Sequence, residues 1–83
     1  MKKISLDARE MEHPKPLEKA TTILRKMESD SFLYMLHRKN PIPLIELAKG
    51  LGYQVLNHED NTGQWHILIT KDTTVNLGEF LDV

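Results

Sequence analysis

Four histidines, His13, His37, His58 and His66, are the side chains of this sequence best suited to chemistry near neutral pH. A neutral imidazole ligates a metal or accepts a proton, so any two that meet in space form a candidate site. His13 directly precedes Pro14-Lys15-Pro16, and Arg9 and Glu10 lie just upstream of it. His37 is followed by Arg38 and Lys39. Arg9 carries a planar fork of donors suited to clamping an anionic group. No tight ligand spacing such as His-Glu-x-x-His occurs, and there is no cysteine. Disulfides, thiolate metal ligands, persulfide carriage and cysteine nucleophiles are therefore excluded.

These side chains depend on the elements that hold them. Ile4 and Leu6 alternate with polar neighbours over 3–7, the pattern of a half-buried strand. Leu17, Ala20, Leu24 and Met27 form a helical stripe within 14–28. Pro14 and Pro16 fall in the first turn of that helix, where a missing N–H is tolerated. Both prolines stiffen the turn, and Pro14 biases His13 towards extended backbone. His13 is then held beside the positive end of the helix, a natural place for an anion, although the prolines remove two donors there. "FLYMLH" (32–37) is apolar on both parities and predicts a central strand covered on both faces. A second helix follows, with Asn40 as its cap, Pro41 at its first position, a stripe of Leu44, Leu47, Ala48 and Leu51, and Gly50 and Gly52 to stop it.

Two strands, 53–59 and 64–71, form a hairpin through a three-residue loop, Asn61-Thr62-Gly63, with Gly63 left-handed. That loop pairs Val55 with Ile69 and Asn57 with Ile67 on the core side, and Leu56 with Leu68, Gln54 with Thr70 and His58 with His66 on the outer side. The element order β-α-β-α-β-β predicts an α/β (α+β) two-layer sandwich, a mixed four-stranded sheet with two helices on one face. Right-handed crossovers make the first three strands run the same way and the fourth run against them. The expected organisation is one domain over 1–71 and a tail over 72–83. Val75, Leu77, Phe80, Leu81 and Val83 either dock that tail across the outer face or leave it free.

With 83 residues and a net charge of −1, no field of one sign is expected to draw in nucleic acid. The first residues lack the apolar core of a signal peptide, and no apolar run is long enough to span a bilayer. Together with the missing cysteines, this predicts a cytoplasmic protein without nucleic-acid or membrane partners.

The segment Leu6-Asp7-Ala8-Arg9, followed by Pro14-Lys15-Pro16, resembles the lead-in of the TusA/SirA-like sulfur carriers, in which a Cys-Pro-x-Pro motif opens the first helix. His13 stands where those carriers have their cysteine, and imidazole cannot hold a persulfide, so direct sulfur relay is excluded. A related cysteine-less domain family of unknown function is more similar. It shares the TusA-like fold and carries a His-x-x-x-Pro-x-Pro-Leu segment, matched by His37 through Leu44, and a tryptophan matched by Trp65. Its members occur beside hemerythrin-like domains, which implies a link to oxygen or nitrogen-oxide metabolism. In the carriers the matching rim docks on partner proteins, so the resemblance implies partner docking here.

Ligands of open α/β sheets sit beyond the carboxyl ends of the parallel strands. The topology puts His13 and His37 after the first and second strands, His58 at the end of the third and His66 at the start of the fourth. All four are thus expected along one rim. The leading expectation is a non-enzymatic module binding a partner protein or a small anionic ligand through Arg9, Glu10, His13, Pro14, Pro16, His37, Arg38 and Lys39, with no cofactor. The alternative is a redox accessory domain holding a metal ion or haem through His13 and His37. Plainer roles stay open beside these. His13 packs at the helix start, His37 bonds a turn, His58 and His66 form an exposed cross-strand pair, and Arg9 makes a surface ion pair. A hydrolase or transferase using His13 as base ranks last, because no nucleophile or carboxylate pair stands at a telling position.

Overall fold

The computed structural model describes residues 1–83. Strand β1 (Lys2–Asp7) leads to helix α1 (Lys15–Lys26), strand β2 (Ser31–His37) to helix α2 (Ile42–Gly50), and strands β3 (Gln54–Glu59) and β4 (Trp65–Thr70) close the sheet as a hairpin. The sheet order is β1-β2-β4-β3, so the last strand made lies between β2 and β3. β1 is parallel to β2, while β4 is antiparallel to both β2 and β3. This is the mixed sheet that the element order predicts, with both helices on one face.

The hairpin register is the expected one: Val55 faces Ile69, Leu56 faces Leu68 and His58 faces His66. Asp60 N–H donates to the carbonyl of Gln64 at 2.8 Å, closing a loop whose Gly63 has φ 85°. A side chain with a Cβ is disfavoured at that angle, which is why glycine stands there.

The two sides of the sheet have separate cores. On the helical side Leu33, Met35, Ile67 and Ile69 pack against Ala20, Leu24, Leu44 and Ala48, with Tyr53, Val55 and Trp65 at the margin. On the outer side Phe32, Tyr34 and Leu68 are covered by Leu77, with Leu56, Val75, Phe80 and Leu81 around them. The tail, one 3-10 turn at Leu77–Phe80, therefore lies across the outer face. Its attachments are local and polar as well as apolar. The Gln54 amide donates to the carbonyls of Asp72 and Val75, and the Asp82 N–H donates to Tyr34 Oη.

Three local expectations are corrected. Helix α1 ends at Lys26, because the extended backbone of Met27 (ψ 138°) stops it before 28. Asn40 does not cap α2 with its side chain. Its Oδ1 instead accepts from the Asn57 amide, and its carbonyl accepts from Ile42 N–H. Gly50 remains helical, and only Gly52 takes a positive φ, 82°, to turn the chain into β3.

Candidate functional site

Both helices begin at the same border of the sheet, and a cleft of about 430 Å³ opens between their first turns. Met11, Glu12, His13, Pro16 and Leu17 form one wall, and His37, Arg38, Lys39, Asn40, Pro41, Pro43 and Leu44 the other. The two walls are built alike. Pro14-Lys15-Pro16-Leu17 opens α1 and Pro41-Ile42-Pro43-Leu44 opens α2, the same Pro-x-Pro-Leu pattern twice.

That pattern decides which backbone donors remain. In α1 the Lys15 N–H is taken by the Glu12 carbonyl and the Glu18 N–H by the Pro14 carbonyl. In α2 the Ile42 N–H is taken by Asn40 and the Ile45 N–H by Pro41. Pro16 and Pro43 have no N–H. The donors left in the two first turns are the N–H groups of Leu17 and Leu44, which have neither a backbone nor a side-chain acceptor. Each sits at the positive end of a helix, and each belongs to a residue of the cleft wall.

His37 supplies a further donor. Its Nδ1 accepts the Arg38 N–H at 2.8 Å, so the proton of the neutral ring is on Nε2. Burial, followed by the neighbouring Arg38 and Lys39 charges, lowers the pKa of His37 from its usual 6.5. The ring is thus kept neutral at pH 7, as a hydrogen-bond donor through Nε2. Ligation of a metal through Nε2 would require the proton to move to Nδ1 and the bond to Arg38 to break. The folded state binds fewer protons at His37 than the unfolded chain does, so its contribution to stability is present above pH 6.5 and falls as the pH drops through the lowered value. An NMR titration is expected to place the His37 midpoint below 6.5, and His37→Gln is expected to flatten the loss of stability on that acid side. A midpoint at or above 6.5 would contradict this account.

The other expected site residues divide. His13, Pro16, His37, Arg38 and Lys39 line the cleft, whereas Arg9, Glu10 and Pro14 do not. Pro14 is the residue just before α1, and the His13–Pro14 peptide is cis. Glu10 is exposed. Arg9 is already committed, so its role as an anion clamp is corrected. Its Nε and one terminal nitrogen grip the two oxygens of Asp7 at 2.8 and 2.6 Å, and the other terminal nitrogen reaches Gln64 Oε1 at 3.2 Å. The grip holds the Asp7 carboxyl down at about 2. Arg9 fastens the start of the β1–α1 connection to the β3–β4 hairpin.

The single row of histidines is also corrected. All four lie towards one end of the sheet, but the sheet itself separates them. His13 and His37 line the cleft on the helical side, while His58 and His66 stand on the outer side. His66 is not an exposed partner of His58. It is buried at 7% exposure between Tyr34 and Asp60. Asp60 only accepts, so His66 Nε2–H donates to Asp60 Oδ2 at 2.8 Å and Nδ1 accepts the Tyr34 hydroxyl at 2.7 Å. Thr62 and His66, through their hydrogen bonds, hold Asp60 far below the usual carboxylate range.

The residues that the histidine-centred reading missed are Leu17, Leu44, Pro41 and Pro43. The repeated Pro-x-Pro-Leu was the signal that could have found them, since it leaves one unused donor in each first turn.

The two-layer sandwich on a mixed four-stranded sheet is a fold shared with a SirA-like protein. A crystal structure of the SirA-like protein from Desulfitobacterium hafniense matches with a TM-score of 0.67 and 26% identity, over 78% of this chain and 92% of that one. The chain belongs to the family described as uncharacterized conserved protein (DUF2249), whose pattern matches residues 5–71. No curated protein matches the sequence. No helix is long and apolar enough to cross a membrane.

Proposed function

We propose that this protein is a non-enzymatic binding module that receives an anionic group of a partner protein, or a small anion, in the cleft between α1 and α2. The observation that carries this reading is the pair of unused N–H groups at Leu17 and Leu44, at two positive helix ends on facing walls, with Arg38 and Lys39 lining the same cleft. The neutral His37 adds an N–H donor without adding charge. The walls contain one carboxylate, Glu12, and no hydroxyl or thiol, which favours binding over hydroxyl- or thiol-based nucleophilic chemistry. Without cysteine the module takes part in sulfur chemistry only through what it binds. The cysteine-free composition supports a reducing, cytoplasmic setting.

The test is a titration of labelled protein with acetate and with phosphate, followed by amide NMR. The Leu17 and Leu44 amides are expected to shift together, and Arg38→Ser with Lys39→Ser to weaken both responses. A silent titration up to roughly 0.1 M, where even a contact worth about 1.4 kcal/mol registers, would remove the reading.

A further inference from the structure

The cleft does not end where its walls end. Pro43 belongs to its lining, and Leu47 and Leu51 follow at four-residue steps, which places the three on one line along α2. The stripe expected to be core is split: Leu47 is 39% exposed and Leu51 is 57% exposed at its margin, while Leu44, Ile45 and Ala48 on the adjoining face are buried in the core. An apolar strip therefore leads out of the cleft over the surface, and no segment of this chain covers it.

The helical side is net positive, although the molecule as a whole is nearly neutral. The two helices and the cleft walls hold seven of the eleven lysines and arginines but only three of the twelve acidic residues, Glu12, Glu18 and Glu46. All ten of these side chains are exposed. The helices and cleft walls thus carry a formal +4, and the remainder of the chain −5. Apolar contact area set in a field of one sign selects a partner of the opposite sign that has apolar side chains of its own.

We infer that the partner received by the cleft is an acidic amphipathic helix or strand of another protein, with a carboxylate in the cleft and apolar side chains laid along Pro43, Leu47 and Leu51. This rests on the anion-receiving reading of the cleft and gives the partner its chemistry. A bilayer of anionic lipid shares the charge but fits the surface less well. The strip has no tryptophan or phenylalanine, Glu46 interrupts the exposed side of the nine-residue helix, and the cleft is concave. An anchoring side chain fills a concavity that a flat interface would leave empty.

The experiment uses the full chain and a synthetic amphipathic peptide of leucine and glutamate. Two control peptides accompany it, one with lysine for glutamate and one with serine for leucine, together with phosphatidylglycerol vesicles. The leucine–glutamate peptide is expected to shift the amides of Leu17 and Leu44 and those of Leu47 and Leu51. Leu47→Ser with Leu51→Ser, both surface changes, is expected to weaken it about tenfold or more. The lysine peptide is expected not to bind. Shifts confined to Leu17 and Leu44 would overturn the inference while leaving anion binding in the cleft intact. Equal binding of the lysine peptide would overturn the charge argument. Binding to vesicles that the double variant abolishes, with no binding to the peptide, would assign the strip to a membrane surface. No shift at about 1 mM peptide, where a contact of about 4 kcal/mol is half-saturated, would overturn the inference, and the separate acetate titration would show whether the cleft reading falls with it.

Discussion

Removing residues 73–83 is expected to cost this protein a large share of its stability and to bring on self-association. The expectation follows from the second core. Leu77 is 2% exposed against Phe32, Tyr34 and Leu68, and the Phe80 ring lies 4.8 Å from that of Phe32. Truncating one fully buried leucine to alanine costs about 2–5 kcal/mol. A domain of this length holds only roughly 4–12 kcal/mol in total. Leu77→Ala alone is therefore expected to lower the melting temperature by about 10 °C or more, at roughly 4–8 °C per kcal/mol. The deletion goes further, because it uncovers Phe32, Tyr34, Leu56 and Leu68 together on one face. Thermal melts of the full chain, the single variant and the deletion check this, with sedimentation to follow association. An unchanged melting curve for the deletion would show that the outer core contributes nothing.

The second large effect is expected at Tyr34. Its hydroxyl accepts the Asp82 N–H at 2.9 Å and donates to His66 Nδ1 at 2.7 Å. Tyr34→Phe leaves His66 Nδ1 without a partner in a buried place, which costs about 1–3 kcal/mol, and releases the Asp82 N–H of the exposed tail end. Tyr34→Phe with His66→Phe removes the two halves of the bond at once, so the double variant is expected to be less destabilised than the sum of the single ones. Strict additivity in chemical denaturation would show that the hydroxyl and the imidazole do not act as a unit. Asp60 gives the chain of bonds a pH dependence. Its folded-state pKa is depressed, so its contribution is present above about 3.9, the usual carboxylate value, and is lost as the pH falls further. Acid unfolding of an Asp60→Asn variant is accordingly expected to be less steep below pH about 4.

Much of the architecture was legible because simple patterns agreed with one another. The parity of "FLYMLH" pointed to a strand covered on both sides, and Gly63 set the hairpin register from local geometry alone. The element order, with right-handed crossovers, placed both helix starts at the same border. What was not legible depended on groups distant in sequence. Asn40 has the composition of a cap, yet Asn57, from the neighbouring strand β3, takes its side chain. Arg9 had the chemistry of a clamp, but Asp7 two residues away and Gln64 across the fold had already satisfied it. His66 looked like half of an exposed pair because nothing in the cross-strand pairing says that Tyr34 and Asp60 close on its two ring nitrogens. The cleft's backbone donors were hidden for another reason. A proline removes an N–H visibly, whereas the N–H left unused beside it is apparent only when every acceptor is accounted for.

The position of β4 has a consequence for how the chain comes into being. On a ribosome, residues 54–59 emerge before the strand that will join them to the rest, and β2 has only β1 beside it until residues 65–70 arrive. The half-made polypeptide therefore has a gap at its centre rather than a ragged border. Closure resembles the setting of a keystone, with native assembly of the sheet deferred until its final strand has emerged.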